Sequence, residues 1–318
     1  MKVINQDSSD NYNIYNADTV EVAMAMEDNS VDYSVFSPPF SSLYTYSNSD
    51  RDMGNVKNDD DFWAQYRFLI KEQLRVMKPG RNISIHCMNL PTSKQKDGFI
   101  GLKDFRGQII QEYQDAGFIY HSEVCIWKCP VVAMTRTKAL GLLHKTVKKD
   151  SAMSRQGIPD YVVTMRKPGV NENPVAGEFQ YYVGDIPPRG FTTHDRDDGS
   201  QFCKPGSNGT SIDIWQKYAS PIWDDIRQTD TLNFREGREN DDERHICPLQ
   251  LDVIERCMQL WSSEGDVVWT PFMGIGSEVY MALKLGRKAI GVELKSSYYN
   301  LALRNIQNAS KTQYDMFG

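Results

Sequence analysis

The chain has no uninterrupted apolar run near the roughly 20 residues that cross a bilayer, and its opening, Met1-Lys2-Val3-Ile4-Asn5-Gln6-Asp7, lacks the apolar core of an export signal. A cytoplasmic protein that does not engage a membrane is therefore expected. A disulfide framework is missing too. The six cysteines, at positions 87, 125, 129, 203, 247 and 257, show no paired spacing and read as free thiols, small hydrophobes in a reducing compartment. No internal repeat or low-complexity tract interrupts the chain. A metal centre is not expected either. His121, Cys125, Cys129 and His144 are ligand types, but the first three fall in a strand-like run, where steps of four residues separate them by about 13 Å each.

What is present is ordinary globular material. The 318 residues are 40% hydrophobic and 25% charged, enough for one large domain or for one domain with a substantial insertion. A net charge of -6 argues against a polyanionic partner, but charge along the chain is uneven. Between Lys128 and Lys167 stand nine basic residues and only two acidic ones. Such a stretch suits either a solvated face or a surface that contacts phosphates.

Strand and helix signals alternate, which points to an α/β sheet. Tyr12 to Tyr15 and Val31 to Phe36 read as strands, the second stopped by Pro38-Pro39. Asp18 to Met26 reads as a helix with Asp18 or Thr19 as its cap. From Asp60 to Met77, apolar residues recur every three or four positions until Lys78-Pro79-Gly80 ends the helix. Asn82 to Cys87 is the next strand, Phe105 to Ala116 a helix closed by Gly117, and Phe118 to Trp127 and Tyr161 to Met165 two further strands. Lys167 to Glu243, rich in Pro, Gly, Asn and Asp, reads as loop and insertion rather than sheet core. Pro248 to Trp261 resumes helical spacing.

Two segments carry chemistry. Asp266 to Thr270 is a buried strand, Pro271-Phe272-Met273-Gly274-Ile275-Gly276-Ser277 a glycine-containing turn, and Glu278 to Leu285 a helix. Glycines at such a turn let backbone approach a ligand at a helix N-terminus. A second strand, Arg287 to Glu293, then ends in an acid placed to bind ribose hydroxyls. A dinucleotide site would carry a third glycine, and here Ser277-Glu278-Val279 stands instead. A smaller nucleoside cofactor follows. The second segment is Ser37-Pro38-Pro39-Phe40, where prolines stiffen a loop that can present a hydroxyl and a carbonyl to one planar ligand while Phe40 stacks on its face.

Together the two segments resemble the amino-methylating DNA methyltransferases of bacteria and their phages. Their catalytic motif is Asp, Asn or Ser followed by Pro-Pro and an aromatic, and their cofactor motif is Phe-x-Gly-x-Gly. The catalytic motif precedes the cofactor motif, as in the beta group of that family, and the likeness covers Tyr12 to Arg166 and His245 to Ile306. It implies a Rossmann-like α/β fold with a central, mostly parallel sheet and an inserted target-recognition region. Residues 1–127 would form the catalytic half, 128–243 the basic segment and insertion with a core strand at 161–167, and 244–318 the cofactor-binding half.

The resemblance also implies S-adenosyl-L-methionine as cofactor and double-stranded DNA as partner, and it admits a homodimer. Cofactor contacts would come from Asp18, Ser37, His245, Pro248, Leu249, Thr270, Pro271, Phe272, Met273, Gly274, Gly276, Ser277, Glu293 and Leu294. Catalysis would rest on Ser37, Pro38, Pro39 and Phe40. Hydrogen bonds from an exocyclic amine to the Ser37 hydroxyl and Pro38 carbonyl would free its lone pair toward a sulfonium methyl. No deep general base is required, because the product ammonium is acidic enough to lose its proton to water. A leading serine is typical of family members that act on N4 of cytosine, so that base is expected ahead of N6 of adenine. The base must leave the duplex first, with Tyr44, Tyr46 and Arg51 after the catalytic loop placed to receive it. Arg136, Lys138, Lys145, Lys148, Lys149 and Arg155 are the expected DNA contacts. RNA or protein methylation, and an inactive nucleic-acid-binding protein, are the competing readings.

Overall fold

The computed structural model describes residues 2–40, 53, 59–92, 94–137, 142–154, 156–196, 199–206, 209–233 and 248–315. Its strands are β1 (Val3–Ser8), β2 (Tyr12–Ala17), β3 (Tyr33–Phe36), β4 (Asn82–Met88), β5 (Leu90–Pro91), β6 (Leu102–Lys103), β7 (Ile119–Ile126), β8 (Asp160–Arg166), β9 (Phe191–Asp195), β10 (Gln201–Pro205), β11 (Ile222–Trp223), β12 (Val267–Thr270) and β13 (Lys288–Glu293). Its helices are α1 (Thr19–Ala25), α2 (Asp59–Val76), α3 (Lys94–Asp97), α4 (Phe105–Asp115), α5 (Pro130–Thr137), α6 (His144–Val147), α7 (Ser211–Tyr218), α8 (Leu251–Trp261), α9 (Ser277–Lys284) and α10 (Ser296–Asp315). Among the described residues no helix is long and apolar enough to cross a membrane.

Local chemistry sets the boundaries. The Asp18 carboxylate accepts from the backbone N–H of Val20 and Glu21 at 2.9 and 3.3 Å and starts α1, a cap worth about 1 kcal/mol. After α4, Gly117 turns the chain at φ 107°, a left-handed conformation that favours glycine.

Nine strands form one sheet in the order β1-β2-β13-β12-β3-β4-β8-β7-β11. From β2 to β4 the neighbours run parallel, whereas β8 lies antiparallel between β4 and β7, and β1 is an antiparallel edge. Side chains alternate between two cores. Tyr33, Val35, Val162 and Val268 enter the core that α8 and α9 cover, while Phe36, Val163 and Trp269 enter the one covered by α2 and α4. Helix α9 therefore leaves β12 for one face and α2 leaves β3 for the other. The adjacent ends of β12 and β3 form the topological switch point, where open α/β sheets bind ligands beyond the carboxyl ends of their strands.

In its described residues the segment 167–243 departs from its expectation as loop. The β9–β10 hairpin, helix α7 and a small core of Tyr182, Val183, Cys203, Ile214 and Tyr218 organise it. Its β11 extends the main sheet by pairing with β7 through Ile222 and Trp223. Strand β9 is mostly exposed and β11 only two residues long, so neither makes an apolar alternation visible in sequence.

Candidate active site

Ser37 to Phe40 and Thr270 to Gly276 leave the carboxyl ends of neighbouring strands. The Ser34 hydroxyl donates to the Trp269 carbonyl at 2.7 Å and ties β3 to β12. Beyond that bond Phe272 packs against Phe36, with ring centroids 5.8 Å apart, and against Tyr66 at 6.3 Å. The aromatic residue of one motif thus seats the strand that carries the other. Pro38 is buried, and half-buried Phe40 packs edge-on against Phe105, with ring centroids 6.1 Å apart.

On the β12–β13 side the glycine turn closes around a carboxylate. Glu293 accepts from the Gly274 N–H at 2.9 Å and from the Lys295 N–H at 2.8 Å, one through each oxygen, and an ionised carboxylate has about four acceptor positions in all. Gly274 has φ 53°, and among the described residues beyond its chain neighbours no atom lies within 4 Å of where a Cβ would sit. That open cradle and the buried Thr270 Oγ1, which has no hydrogen-bond partner among the described residues, suit a nucleoside-type ligand lying over the turn. Pro271, Met273 and Ser277 are buried, the last as the first residue of α9. Asn16, at the end of β2, donates to the carbonyls of Glu293 and Leu294 at 2.8 and 2.9 Å. This bridge brings the loop containing Asp18 to the same sheet edge. Pro248 and Leu249 precede α8, and Leu249 is in its core. His245 lies outside the described residues.

A polar chain behind Ser37 escaped the sequence reading. The Ser37 hydroxyl lies 3.2 Å from His86 Nδ1, and His86 Nε2 lies 3.0 Å from Asp160 Oδ2. Lys128 forms an ion pair with the same Asp160 oxygen. His86 is 8% exposed and Asp160 is 1% exposed. Burial, the largest single influence, raises the Asp160 carboxyl, but His86 and Lys128 more than offset it and hold the pKa below the ordinary value. The four residues come from the loop after β3, from β4, the loop after β7 and β8. Sheet pairing unites them: β3 beside β4 sets Ser37 near His86, and the antiparallel β4–β8 and β7–β8 pairings bring Met88 and Ile126 opposite Asp160, while a lone histidine in an apolar strand gave no signal of it.

Residues 31–304 match the N6_N4_Mtase family model, described as DNA methylase. The chain belongs to this family of DNA methylases. Among curated relatives, the type II methyltransferase M.BglII of Bacillus subtilis is 24% identical over 291 residues, covering 91% of this chain and 67% of the relative. The type II methyltransferase M1.MboII of Moraxella bovis is 41% identical over 58 residues, 18% of this chain and 22% of the relative. The Thermus thermophilus protein TTHA0409, solved with S-adenosyl-L-methionine, superposes with TM-score 0.61 at 20% identity, covering 94% of this chain and 95% of that one. The PvuII DNA methyltransferase, cytosine-N4-specific, gives 0.57 at 14% identity, with 98% and 95% covered. These two likenesses establish the methylase fold: α/β, with a large, mostly parallel sheet.

In this DNA methylase the basic stretch is not uniformly available to a ligand. Lys128 is engaged by Asp160. Arg166 reaches the carbonyls of Gly80 and Gly169, and the Lys167 ammonium donates to the Met77 carbonyl at 2.7 Å and to Asn29 at 2.8 Å. All three hold the fold together, so fewer of the cations in this stretch are left to a ligand. Lys145, Lys148 and Lys149, on and just after α6, are exposed. Arg136 lies in α5. Lys138, Arg155, Tyr44, Tyr46 and Arg51 lie outside the described residues.

Proposed function

We propose that this DNA amino-methyltransferase transfers the methyl group of S-adenosyl-L-methionine to N4 of a cytosine drawn out of duplex DNA. The observation that carries the reading is the meeting, at one switch point, of the Ser37 hydroxyl and the open Gly274 turn with its Glu293 carboxylate. When bound, the cofactor supplies an activated methyl group on a sulfonium that leaves with the bonding pair. Glu293 would hold the ribose hydroxyls, and Gly274 and Gly276 would let backbone approach the remainder. Thr270, Pro271, Phe272, Met273 and Ser277 would complete that wall, with Asp18, Pro248, Leu249 and Leu294 at its margin.

On the other wall, the Ser37 oxygen and Pro38 carbonyl would accept the two amino hydrogens of the base. Their pull favours a pyramidal nitrogen whose lone pair faces the methyl group, and the stiff Pro38-Pro39 backbone makes that alignment cost little reorganisation. Phe40, braced by Phe105, would stack on the base. Lys145, Lys148 and Lys149 would contact phosphates. The opening of a base pair costs a few kcal/mol, which these contacts would help offset.

The test is to incubate the protein with S-adenosyl-L-methionine and unmethylated duplex DNA, digest to nucleosides and identify the product by mass spectrometry. N4-methylcytosine is expected. N6-methyladenine would overturn the choice of base while keeping the transfer, and neither product would remove DNA as the substrate.

A further inference from the structure

The chain Ser37–His86–Asp160 has the connectivity of a proton relay, and its end at Ser37 is where the reading above places the amino group. A serine hydroxyl can donate or accept, so its usefulness to an amine depends on where its own proton points. The Asp160 carboxylate, ionised below the ordinary carboxylate range, can only accept, and it takes the N–H of His86 Nε2 at 3.0 Å. In a neutral ring that leaves Nδ1 as the acceptor. The Ser37 hydroxyl, 3.2 Å away, then donates to Nδ1 and turns its lone pairs outward.

We propose that His86, held by Asp160, is the positioning residue that makes Ser37 an acceptor toward the base and receives, through Ser37, the proton released on methylation. As the nitrogen lone pair forms the new N–C bond, the S–C bonding pair departs with the sulfur. The amino group, now cationic, gives a proton to Ser37 Oγ while Ser37 passes its own to His86 Nδ1. The imidazolium formed is paired with Asp160 and afterwards loses its proton to solvent. Charge and atoms balance without another reactant. Unlike a serine hydrolase triad, Ser37 here forms no covalent bond to substrate. The relay rests on the proposed methyl transfer, which as read from the sequence needed no base at all.

Among the described residues, the charged groups around His86 are Asp160 of β8 and Lys128 after β7. One layer out stand the Arg106–Glu123 pair at 2.7 Å, from α4 and β7, and Asp104, all electrically coupled to the adjacent Cys87. Lys128 and His86 compete for one carboxylate. Removal of the lysine therefore leaves Asp160 freer to stabilise a protonated His86.

The test is the pH dependence of single-turnover methyl transfer, measured with radiolabelled S-adenosyl-L-methionine and saturating duplex DNA between about pH 5.5 and 9. The wild-type rate is expected to rise with pH through one ionisation and then level. His86→Asn, whose amide can still bond Ser37 but cannot take up a proton, is expected to lose that limb and to fall about 10²-fold at pH 8. Its cofactor affinity, measured by calorimetry, should stay within about threefold of wild type, which a general collapse of the site would not allow. Lys128→Met should move the limb to higher pH. A wild-type rate flat across the range overturns the relay whether or not any variant folds. So does a His86→Asn protein that keeps the limb or transfers within about twofold of wild type. Failure of the wild-type protein to methylate DNA at all is a distinct result, and it removes the underlying reading as well.

Discussion

Gly274 and Gly276 stand two positions apart in one motif and do different physical work. Both have positive φ, 53° and 89°, so an L side chain at either is strained by about 1–2 kcal/mol. A Cβ on Gly274 enters open space, whereas one on Gly276 meets the Ala302 Cβ at 3.1 Å and its Cα at 3.3 Å. Gly274→Ala should fold with a loss of about 1 kcal/mol yet bind S-adenosyl-L-methionine at least about tenfold more weakly, because the methyl group occupies the cradle. Gly276→Ala should lose more stability, since α10 must move. Denaturant unfolding alongside cofactor calorimetry separates the two, and equal stability losses would refute the distinction. At this scale Ser37, Gly274, Gly276 and Glu293 of the candidate site were legible as candidates, because each sits in a contiguous motif. His86, Asp160 and Lys128 were not. Their union depends on sheet register between segments 74 positions apart, and a single histidine or aspartate has no local pattern.

Helices and interior strands were mostly legible because burial imposes a period. Helix α2 was read to within a residue at each end. The edge strand β1 was missed because Asn5, Gln6 and Asp7 break its alternation; an exposed edge favours polar residues. One element holds a feature that periodicity hides. Glu278, in the first turn of α9, is 5% exposed, although an acid there usually faces water and the helix dipole. Burial chiefly, and the charge of Glu293 in addition, push its pKa up to about 8 against only a lowering bond to its own backbone. The native state thus holds a proton that the unfolded state has released above about 4.5. Its contribution to stability is complete below that value and is lost as pH rises toward 8, with a slope of at most about 1.4 kcal/mol per pH unit. Glu278→Gln should match wild type near pH 4.5 and exceed it above pH 8 in urea unfolding. A difference independent of pH would place the titration elsewhere.

For the molecule as a whole, the question is how the inserted segment stays fixed to the sheet and its helices. Arg256 of α8 answers it. The guanidinium is fully buried and bonds Asp225 through two nitrogens at 3.0 and 2.8 Å, donates from Nε to the Val183 carbonyl at 2.9 Å, and lies 5.0–5.3 Å from the rings of Tyr182, Tyr218 and Trp223. Every partner belongs to the segment 182–225, so one side chain joins the small core of the insertion to the helix that packs under β3. Gly184 admits it: at φ 142° a Cβ there would lie 2.2 Å from the guanidinium. The sequence showed an arginine on a helix and an aspartate in a loop, neither with any sign of burial. The pair is worth little as an attraction, because desolvation of two charges offsets most of it, but breaking one side strands the other. Arg256→Met should therefore cost about 3–5 kcal/mol, and Arg256→Met with Asp225→Asn distinctly less than the sum of the two single losses. If the insertion is coupled to the core through this contact, Arg256→Met should also open 182–225 to hydrogen exchange while β12 and β13 stay protected. Exchange rising equally in both regions would mean that the insertion and the sheet unfold as one unit, with Arg256 serving the common core rather than the joint between them.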